Sequence, residues 1–332
     1  MASLKDVAKR AGVSLMTVSR ALNNPGKLSQ ATLDKVRQAV AELNYVPNAA
    51  AQSIRSASAD SIGVLSLGTA TTPFSVEMLL AVEKTVRQHR WHSFVINAFE
   101  NDEAEMAQAV EQLLAHRPSG IIIARNGLKK VKIPAALRHL PVVLANCVSD
   151  DWAAACYVPD DYRGQKAIAK LLAQRGYKRP LFLHIPHNYI ATERRKAAFE
   201  DVWNNVPEAA QPVQYFMPTD GENYFEGALP LIEMLDKHPQ DFDFDVVVCG
   251  NDRIAFVVYQ ALLAKGFRIP QDVAVTGYDN MVGVSHLFLP PLTTVQLPHY
   301  QMGEQAALHI IENRQDTEIH PIDCPLVLGQ SC

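Results

Sequence analysis

The side chains with the clearest chemical signature lie within residues 14–23. Arg20 carries a guanidinium that can bind O6 and N7 of one guanine. Leu15 and Met16 cannot hydrogen-bond through their side chains, and we expect them to contact thymine methyl groups or to exclude other bases by shape. The other polar side chains suit phosphate oxygens and would fix the register on a duplex: Ser14, Thr17, Ser19 and Asn23. The segment therefore predicts a surface that reads the major groove.

Three short helices are predicted to position these side chains. Apolar residues recur at helical spacing over about residues 4–11, 15–23 and 30–43. Gly12 permits a sharp turn after the first helix, and Ser14 and Ser29 can cap the second and the third. A helix, a tight turn and a second helix with an exposed polar face are typical of a helix-turn-helix.

Charge divides the chain of 332 residues into a basic head and an acidic body. Residues 1–59 hold eight bases and three acids, a net charge of +5, whereas the rest holds 23 bases and 32 acids, a net charge of −9. A basic head indicates binding to a polyanion. The charge thus favours DNA binding over the alternative of a three-helix bundle that has no ligand.

Composition and missing motifs exclude several classes of protein. No run of 18 apolar residues suggests a membrane span, and the charged start of the chain is unlike a secretory signal, so we expect a cytoplasmic protein. No GxGxxG follows the first predicted strand, and no GxxxxGK[ST], GxSxG or HExxH is present. The five cysteines form no CxxC pair. We therefore expect no enzyme activity, no cofactor, no bound metal and no disulfide framework.

Short apolar strands alternate with amphipathic helices from residue 60 onward. This alternation is typical of parallel α/β sheets, and about 270 residues suit two similar lobes better than one sheet. The predicted strands are residues 62–67, 94–97, 120–124, 142–145, 180–184, 213–216, 246–249 and 273–278.

Several motifs in order along the chain resemble one family. The head, followed by LNYVPN at 43–48, resembles the LacI/GalR family of bacterial transcription regulators. The resemblance continues through SGIII at 119–123, GND at 250–252, GYDN at 277–280 and PPLTTV at 290–295. Within the family, TATTPFS at 69–75 and HLFLP at 286–290 are most similar to regulators of sucrose and raffinose uptake.

The resemblance implies a domain organisation. A helix-turn-helix domain would span residues 1–46 and a hinge 47–59. The body, residues 60–332, would have the two-lobed fold of periplasmic sugar-binding proteins. One lobe would take about residues 60–159 and 296–323, and the other about 160–295 and 324–332. No leucine heptad follows at the carboxyl end, which predicts a homodimer rather than a tetramer.

The resemblance also assigns the hinge to DNA. Two heads of a dimer would bind a pseudopalindromic, double-stranded operator, and the hinge, including Asn48, would fold only on the duplex. Ile54 stands where the family has a leucine wedge in the minor groove, and its apolar volume suits the parting of a base step. The alternative for Ile54 is packing against the body.

For a small-sugar effector, the resemblance assigns Arg195, Asn251 and Asp279. Vicinal hydroxyls can donate to a carboxylate and accept from a guanidinium or an amide. Asp279 could instead cap the following segment, and Asn146 stands where many members carry an aspartate. Aromatic rings suit the apolar faces of sugars, so the remaining cleft candidates are Phe74, Tyr157, Tyr224 and Phe288. Each of these could also be ordinary packing.

Most sugar-responsive members release their operator when the sugar binds, and this is the mode that we expect. The alternative is a corepressor that tightens DNA binding, with a non-sugar or a phosphorylated metabolite as the signal. The adjacent Arg194 and Arg195 would tolerate a phosphate.

Overall fold

The computed structural model describes residues 2–23, 25–45, 59–68, 73–99, 102–218, 224–237, 239 and 242–332. The side chains of residues 23, 59 and 73–75 are not among the described atoms. The chain forms two compact units, Met1–Ala59 and Asp60–Cys332. In the described residues, no helix is long and apolar enough to cross a bilayer.

Among its described residues, the first unit has three α-helices around a small apolar core. They are α1 (Leu4–Ala11), α2 (Leu15–Asn23) and α3 (Gln30–Glu42), with a 3₁₀ turn at Pro25–Lys27. Ser3 and Asp6 form a capping box at the start of α1, and Gly12 ends that helix in the left-handed conformation, φ 66°. The buried core consists of Val7, Ala8, Val18, Val36 and Ala39.

The second unit contains two separate sheets of parallel pairs. The six-stranded sheet has the order β11-β5-β4-β3-β1-β2, with β1 (Ala59–Leu67), β2 (His92–Ala98), β3 (Pro118–Lys130), β4 (Val142–Val148), β5 (Ala155–Pro159) and β11 (Ile319–Ile322). The four-stranded sheet has the order β7-β6-β8-β9, with β6 (Pro180–His184), β7 (Val213–Phe216), β8 (Val246–Cys249) and β9 (Ala274–Thr276). The strand pairs of both sheets with a defined residue register are parallel: β1–β2, β3–β4, β4–β5, β5–β11, β6–β7, β6–β8 and β8–β9. We call the two halves built on these sheets the N-lobe and the C-lobe.

Helices cover both sheets, as buried parallel strands require. The helices of the N-lobe are α4 (Pro73–Gln88), α5 (Glu103–Ala115) and α10 (His299–Ile311), and α10 packs on α4, β4 and β5. The helices of the C-lobe are α6 (Asp161–Gln174), α7 (Ile190–Trp203), α8 (Leu229–Lys237) and α9 (Asp252–Ala264). Each lobe has buried apolar clusters of its own against its sheet.

The chain passes between the lobes three times. It leaves the N-lobe between β5 and α6 and returns between β10 (Thr294–Val295) and α10. It crosses again between β11 and β12 (Leu326–Val327), which pairs antiparallel with β10. The parallel α/β class expected from the sequence is confirmed, while the exact domain bounds stay a prediction.

Candidate sites: a DNA-facing helix and a polar cavity between the lobes

Helix α2 presents a mixed apolar and basic surface to solvent. Met16 is 64% exposed and Leu15 is 40% exposed. Both side chains are apolar, yet they lie outside the apolar core of the first unit. Arg20 is also exposed, whereas Val18 of the same helix is fully buried. Val18 therefore fixes which face of α2 meets the core and leaves the predicted base-contacting residues outside.

The hydroxyl residues of this segment have local partners. The Oγ of Ser14 accepts a hydrogen bond of 3.1 Å from the backbone N–H of Thr17, which caps α2, and it lies 2.9 Å from the Thr17 hydroxyl. Ser19 is half-buried. The side chain of Asn23 and the hinge residues Asn48 and Ile54 lie outside the described atoms, so their assigned DNA contacts stay predictions.

A cavity of about 610 Å³ lies between the two lobes, at the carboxyl ends of their strands. Its volume falls within the range of small-molecule sites. Five of the predicted effector-binding residues line it: Asn146, Arg195, Tyr224, Asn251 and Asp279. They come from β4, α7 and the segments that follow β7, β8 and β9, so the fold brings together residues that are far apart in sequence.

Arg195 is buried in the wall of this cavity with its charge compensated. Its Nε donates a 2.7 Å hydrogen bond to Oδ1 of Asp161, and its NH1 donates one of 2.7 Å to the carbonyl oxygen of Gly250. The guanidinium also stacks 3.5 Å from the ring centre of Tyr278. Burial alone lowers the pKa of Arg195, but the neighbouring carboxylates, Asp161 foremost, outweigh it and raise that pKa. The arginine therefore stays a cation.

Asn251 and Asn146 each use part of their amide for structure. The Oδ1 of Asn251 caps α9 by accepting a 2.9 Å hydrogen bond from the N–H of Ile254. The Nδ2 of Asn146 donates to the carbonyl oxygen of Arg125 at 3.1 Å. The NH₂ group of Asn251 and the oxygen of Asn146 remain as groups that a sugar hydroxyl could meet.

Asp279 lies in the loop after β9 and lines the cavity. Its backbone is in the positive-φ region, at φ 115°. Burial raises the pKa of Asp279 well above its ordinary value, against the lowering influence of Arg195. A carboxyl group in this condition can donate a hydrogen bond as well as accept one. Tyr224 adds an aromatic wall, with the guanidinium of Arg253 4.7 Å from its ring centre.

Two of the predicted aromatic residues do not reach the cavity. Tyr157 is buried in the middle of β5, and its hydroxyl lies 3.1 Å from Nδ1 of His309 beneath α10. Phe288 is buried in the core of the C-lobe, where its ring centre is 4.9 Å from that of Tyr259. Both rings fill apolar space instead of facing a ligand. The side chain of Phe74 lies outside the described atoms.

Asp161, Tyr189 and His299 are among the cavity residues that the sequence analysis does not identify. Asp161 pairs with Arg195, and its other oxygen, Oδ2, is buried without a hydrogen-bond partner among the described residues. Tyr189 lines the cavity just before α7, and His299 lines it as the first residue of α10. Asp161 is the first residue of α6, close after β5, and because β5 is not predicted from the sequence, nothing there marks Asp161 or the other two.

A DNA-facing helix-turn-helix joined to a ligand-binding body defines the class of ligand-responsive transcription regulators. A model of "Bacterial regulatory proteins, lacI family" matches residues 3–48. A model of "Periplasmic binding proteins and sugar binding domain of LacI family" matches residues 59–332. The chain therefore belongs to the LacI family.

Individual relatives match along the whole chain. The sucrose operon repressor of Escherichia coli is 49% identical over 330 residues, which cover 99% of each chain. The regulator GalR of Escherichia coli strain K12 is 30% identical over 334 residues, 99% of this chain and 94% of GalR. The Lac repressor dimer bound to operator and the anti-inducer ONPF superposes with a TM-score of 0.81 at 24% identity, over 99% of this chain and 98% of that one.

Proposed function

We propose that the protein is a homodimeric, cytoplasmic repressor of a sugar-utilisation operon, and that a sucrose- or raffinose-type sugar, or a monosaccharide derived from it, releases the protein from its operator. The observation that carries this proposal is the polar cavity between the lobes, which holds a paired arginine, two amides and a carboxyl group. The identity of 49% to a protein named for the sucrose operon supports the choice of sugar.

On DNA, α2 enters the major groove. Arg20 binds a guanine, while Leu15 and Met16 contact apolar base edges. Ser14, Thr17, Ser19 and Asn23 set the register through phosphates. The hinge residue Ile54 occupies the minor groove, and Asn48 of the hinge also binds DNA.

In the cavity, the sugar hydroxyls replace water on Asp279, Asn251 and Asn146, while Tyr224 packs on an apolar face of the ring. The cation of Arg195 is already engaged by Asp161 and by the Gly250 carbonyl oxygen. This arrangement favours an uncharged sugar over the alternative of a phosphorylated metabolite, because a phosphate would have to compete with a buried carboxylate for the same guanidinium.

Release follows from the two-lobed architecture. Residues of both lobes line the cavity, and three segments of the chain connect the lobes. A ligand that contacts both lobes therefore prefers one arrangement of the lobes. The factor by which the sugar changes operator affinity equals the factor by which the operator changes sugar affinity.

The test is calorimetric titration of the purified protein with sucrose, raffinose, melibiose, fructose, glucose and their phosphates, followed by operator binding with each sugar that binds. We expect an uncharged sugar to bind at micromolar to millimolar concentration and to weaken operator binding. Asp279→Ala should lose the sugar response and keep operator binding. An unchanged response in this variant would remove Asp279 from the site, and tightening of operator binding by the sugar would establish corepression.

A further inference from the structure

A cluster of metal-binding side chains lies in the N-lobe, away from the residues that line the cavity. His309 stands in the last turn of α10, Asp316 in the turn that follows, and His320 in the edge strand β11. One ligand atom from each of these residues lies within 4.8 Å of the other two. The proposed sugar response does not use this cluster.

Neighbouring groups fix the orientation of both imidazoles. The hydroxyl of Tyr157 lies 3.1 Å from Nδ1 of His309, and the Tyr157 ring stacks on His320 with ring centres 4.8 Å apart. The Nε2 of His320 lies 2.6 Å from Oδ1 of Asp316. Tyr157 is thus an outer group that orients both imidazoles, as is typical of metal sites, and this leaves little conformational entropy to lose on binding.

The charge around the cluster is compatible with a cation. Arg314 is nearby and donates to the Tyr157 hydroxyl at 3.0 Å, but it is paired with Glu312 at 2.8 Å. This pair is neutral overall, so Asp316 supplies net negative charge at the cluster. An imidazole–imidazole–carboxylate set suits zinc, which accepts three protein ligands with water as the fourth.

We propose that His309, Asp316 and His320 form a Zn²⁺ site. Ligand atoms of a tetrahedral zinc site lie about 3.3 Å apart when the bonds are about 2.0–2.1 Å long. Asp316 is exposed and His320 is half-buried, and both would shift towards the buried His309 by up to about 1.5 Å to reach this spacing. Zinc would then replace the hydrogen bond between Asp316 and His320 and join the end of α10 to β11.

The test uses the full chain without a histidine tag, because a tag would bind zinc itself. Calorimetric titration with ZnCl₂ should give one Zn²⁺ per chain, and MgCl₂ should give no heat of binding. His320→Gln and Asp316→Asn should each weaken zinc binding at least tenfold. Both residues are partly or fully exposed, so these variants keep the fold. His139→Gln removes an exposed histidine outside the cluster and should leave zinc binding unchanged.

Absorption of Co²⁺ provides a second measurement. Cobalt in the wild-type protein should give the intense visible bands of four-coordinate geometry, and these bands should vanish in His320→Gln and persist in His139→Gln. Equal zinc affinity in the wild type and His320→Gln would overturn the proposal, and so would an absence of zinc binding by the wild type. Neither result bears on the sugar response, which is measured separately.

Discussion

Arg195 is a buried cation whose place in the cavity depends on a carboxylate that belongs to no sequence motif. Arg195 is 4% exposed, and Asp161 is fully buried. A buried ion pair contributes little net stability when it is complete, but the loss of one partner leaves the other charge without compensation. The pair therefore keeps the cavity polar without leaving a free charge in it.

Asp161→Asn tests this dependence. The amide preserves the shape of the side chain but leaves the Arg195 guanidinium buried without a counter-ion. We expect the free energy of unfolding to fall by about 3–5 kcal/mol, measured by urea denaturation at a fixed protein concentration. Asp272→Asn breaks the exposed pair between Arg268 and Asp272 and is the matched control, which should change stability little. Similar losses in the two variants would contradict the expectation.

Arg20→Ala should relax specificity at one base pair of each half-site. Loss of a bidentate contact to guanine costs about 1–3 kcal/mol against that base and leaves the other positions unchanged. The measurement compares operator affinities for all four base pairs at each position, at constant salt. If affinity fell equally for every sequence, Arg20 would be a phosphate contact.

The sequence predicts that a residue lines the cavity more reliably when a family motif fixes its position than when only the chemistry of its side chain suggests a role. Arg195 lies within α7, and Asn251 and Asp279 follow β8 and β9, so these elements place all three at the cavity. Tyr157 and Phe288 were proposed because aromatic rings suit sugars, but the same rings suit a core equally well. The partner of Arg195 could not be identified from sequence, because 34 residues separate it from Asp161.

Helix α10 connects the cavity to the packing of the N-lobe. It begins at His299 in the cavity wall and passes close to α4 at Gly303. A Cβ atom on Gly303 would lie 2.3 Å from the carbonyl oxygen of Met78, a backbone atom of α4. Only glycine permits this close approach. The residue at position 303 therefore determines the distance between α4 and α10.

Gly303→Ala should destabilise the protein by about 1–3 kcal/mol, because α4 and α10 must separate to admit one methyl group. Gln301→Ala, at an exposed position on the same helix, is the control and should be close to neutral. Thermal and urea unfolding of the two variants provide the measurement. A fully stable Gly303→Ala variant would show that the two helices can shift without cost.

His299 should make the protein sensitive to acid. Burial, assisted by the charge of Arg195, lowers the pKa of His299 to about 4 from 6.5. The unfolded chain then binds more protons than the folded one between these values, so the contribution to stability is present above pH 6.5 and is lost as the pH falls towards 4. The expected loss is about 3 kcal/mol.

His299→Gln should remove this loss. Urea unfolding of the wild type and the variant between pH 4 and 7 gives the difference in their free energies of unfolding. That difference should favour the wild type increasingly as the pH rises. A difference that is constant with pH would show that His299 titrates alike in the folded and unfolded chains.

Elements with strong periodicity were predicted well, and some short strands were not. The three head helices match their predicted bounds within one residue, because caps and apolar spacing agree there. Strands β5 and β11 were missed. Strand β5 has five residues, and β11 contains Pro321, which a strand tolerates only at the edge of a sheet. Such strands form because they pair with segments that are distant in the chain, and the local sequence does not indicate this pairing.

At the scale of the whole molecule, one face of α4 remains apolar and exposed. Val76 is 52% exposed and Leu80 is 54% exposed, one turn apart on that helix. The opposite face carries Met78 and Val82 into the N-lobe core. A second copy of the chain that covers this face would bury both side chains, consistent with the proposed dimer.

Leu80→Glu should therefore convert the dimer to monomers, because dimerisation would bury an unpaired charge. Sedimentation velocity measures the change. Operator affinity should fall at least about tenfold, since two heads would no longer bind as one unit. Val213→Glu, on the exposed edge strand β7 of the C-lobe, should leave the dimer intact. A dimeric Leu80→Glu variant would place the interface elsewhere.

The last crossing of the chain sets the order in which the molecule can mature during synthesis. Strand β11 completes the sheet of the N-lobe, and β12 pairs with β10 in the C-lobe. Both strands are translated after all the strands with which they share a sheet, and the head is translated before them. A nascent chain therefore has a complete helix-turn-helix well before either lobe can close. The proposed response to a ligand therefore requires that β11 and β12 have already been translated.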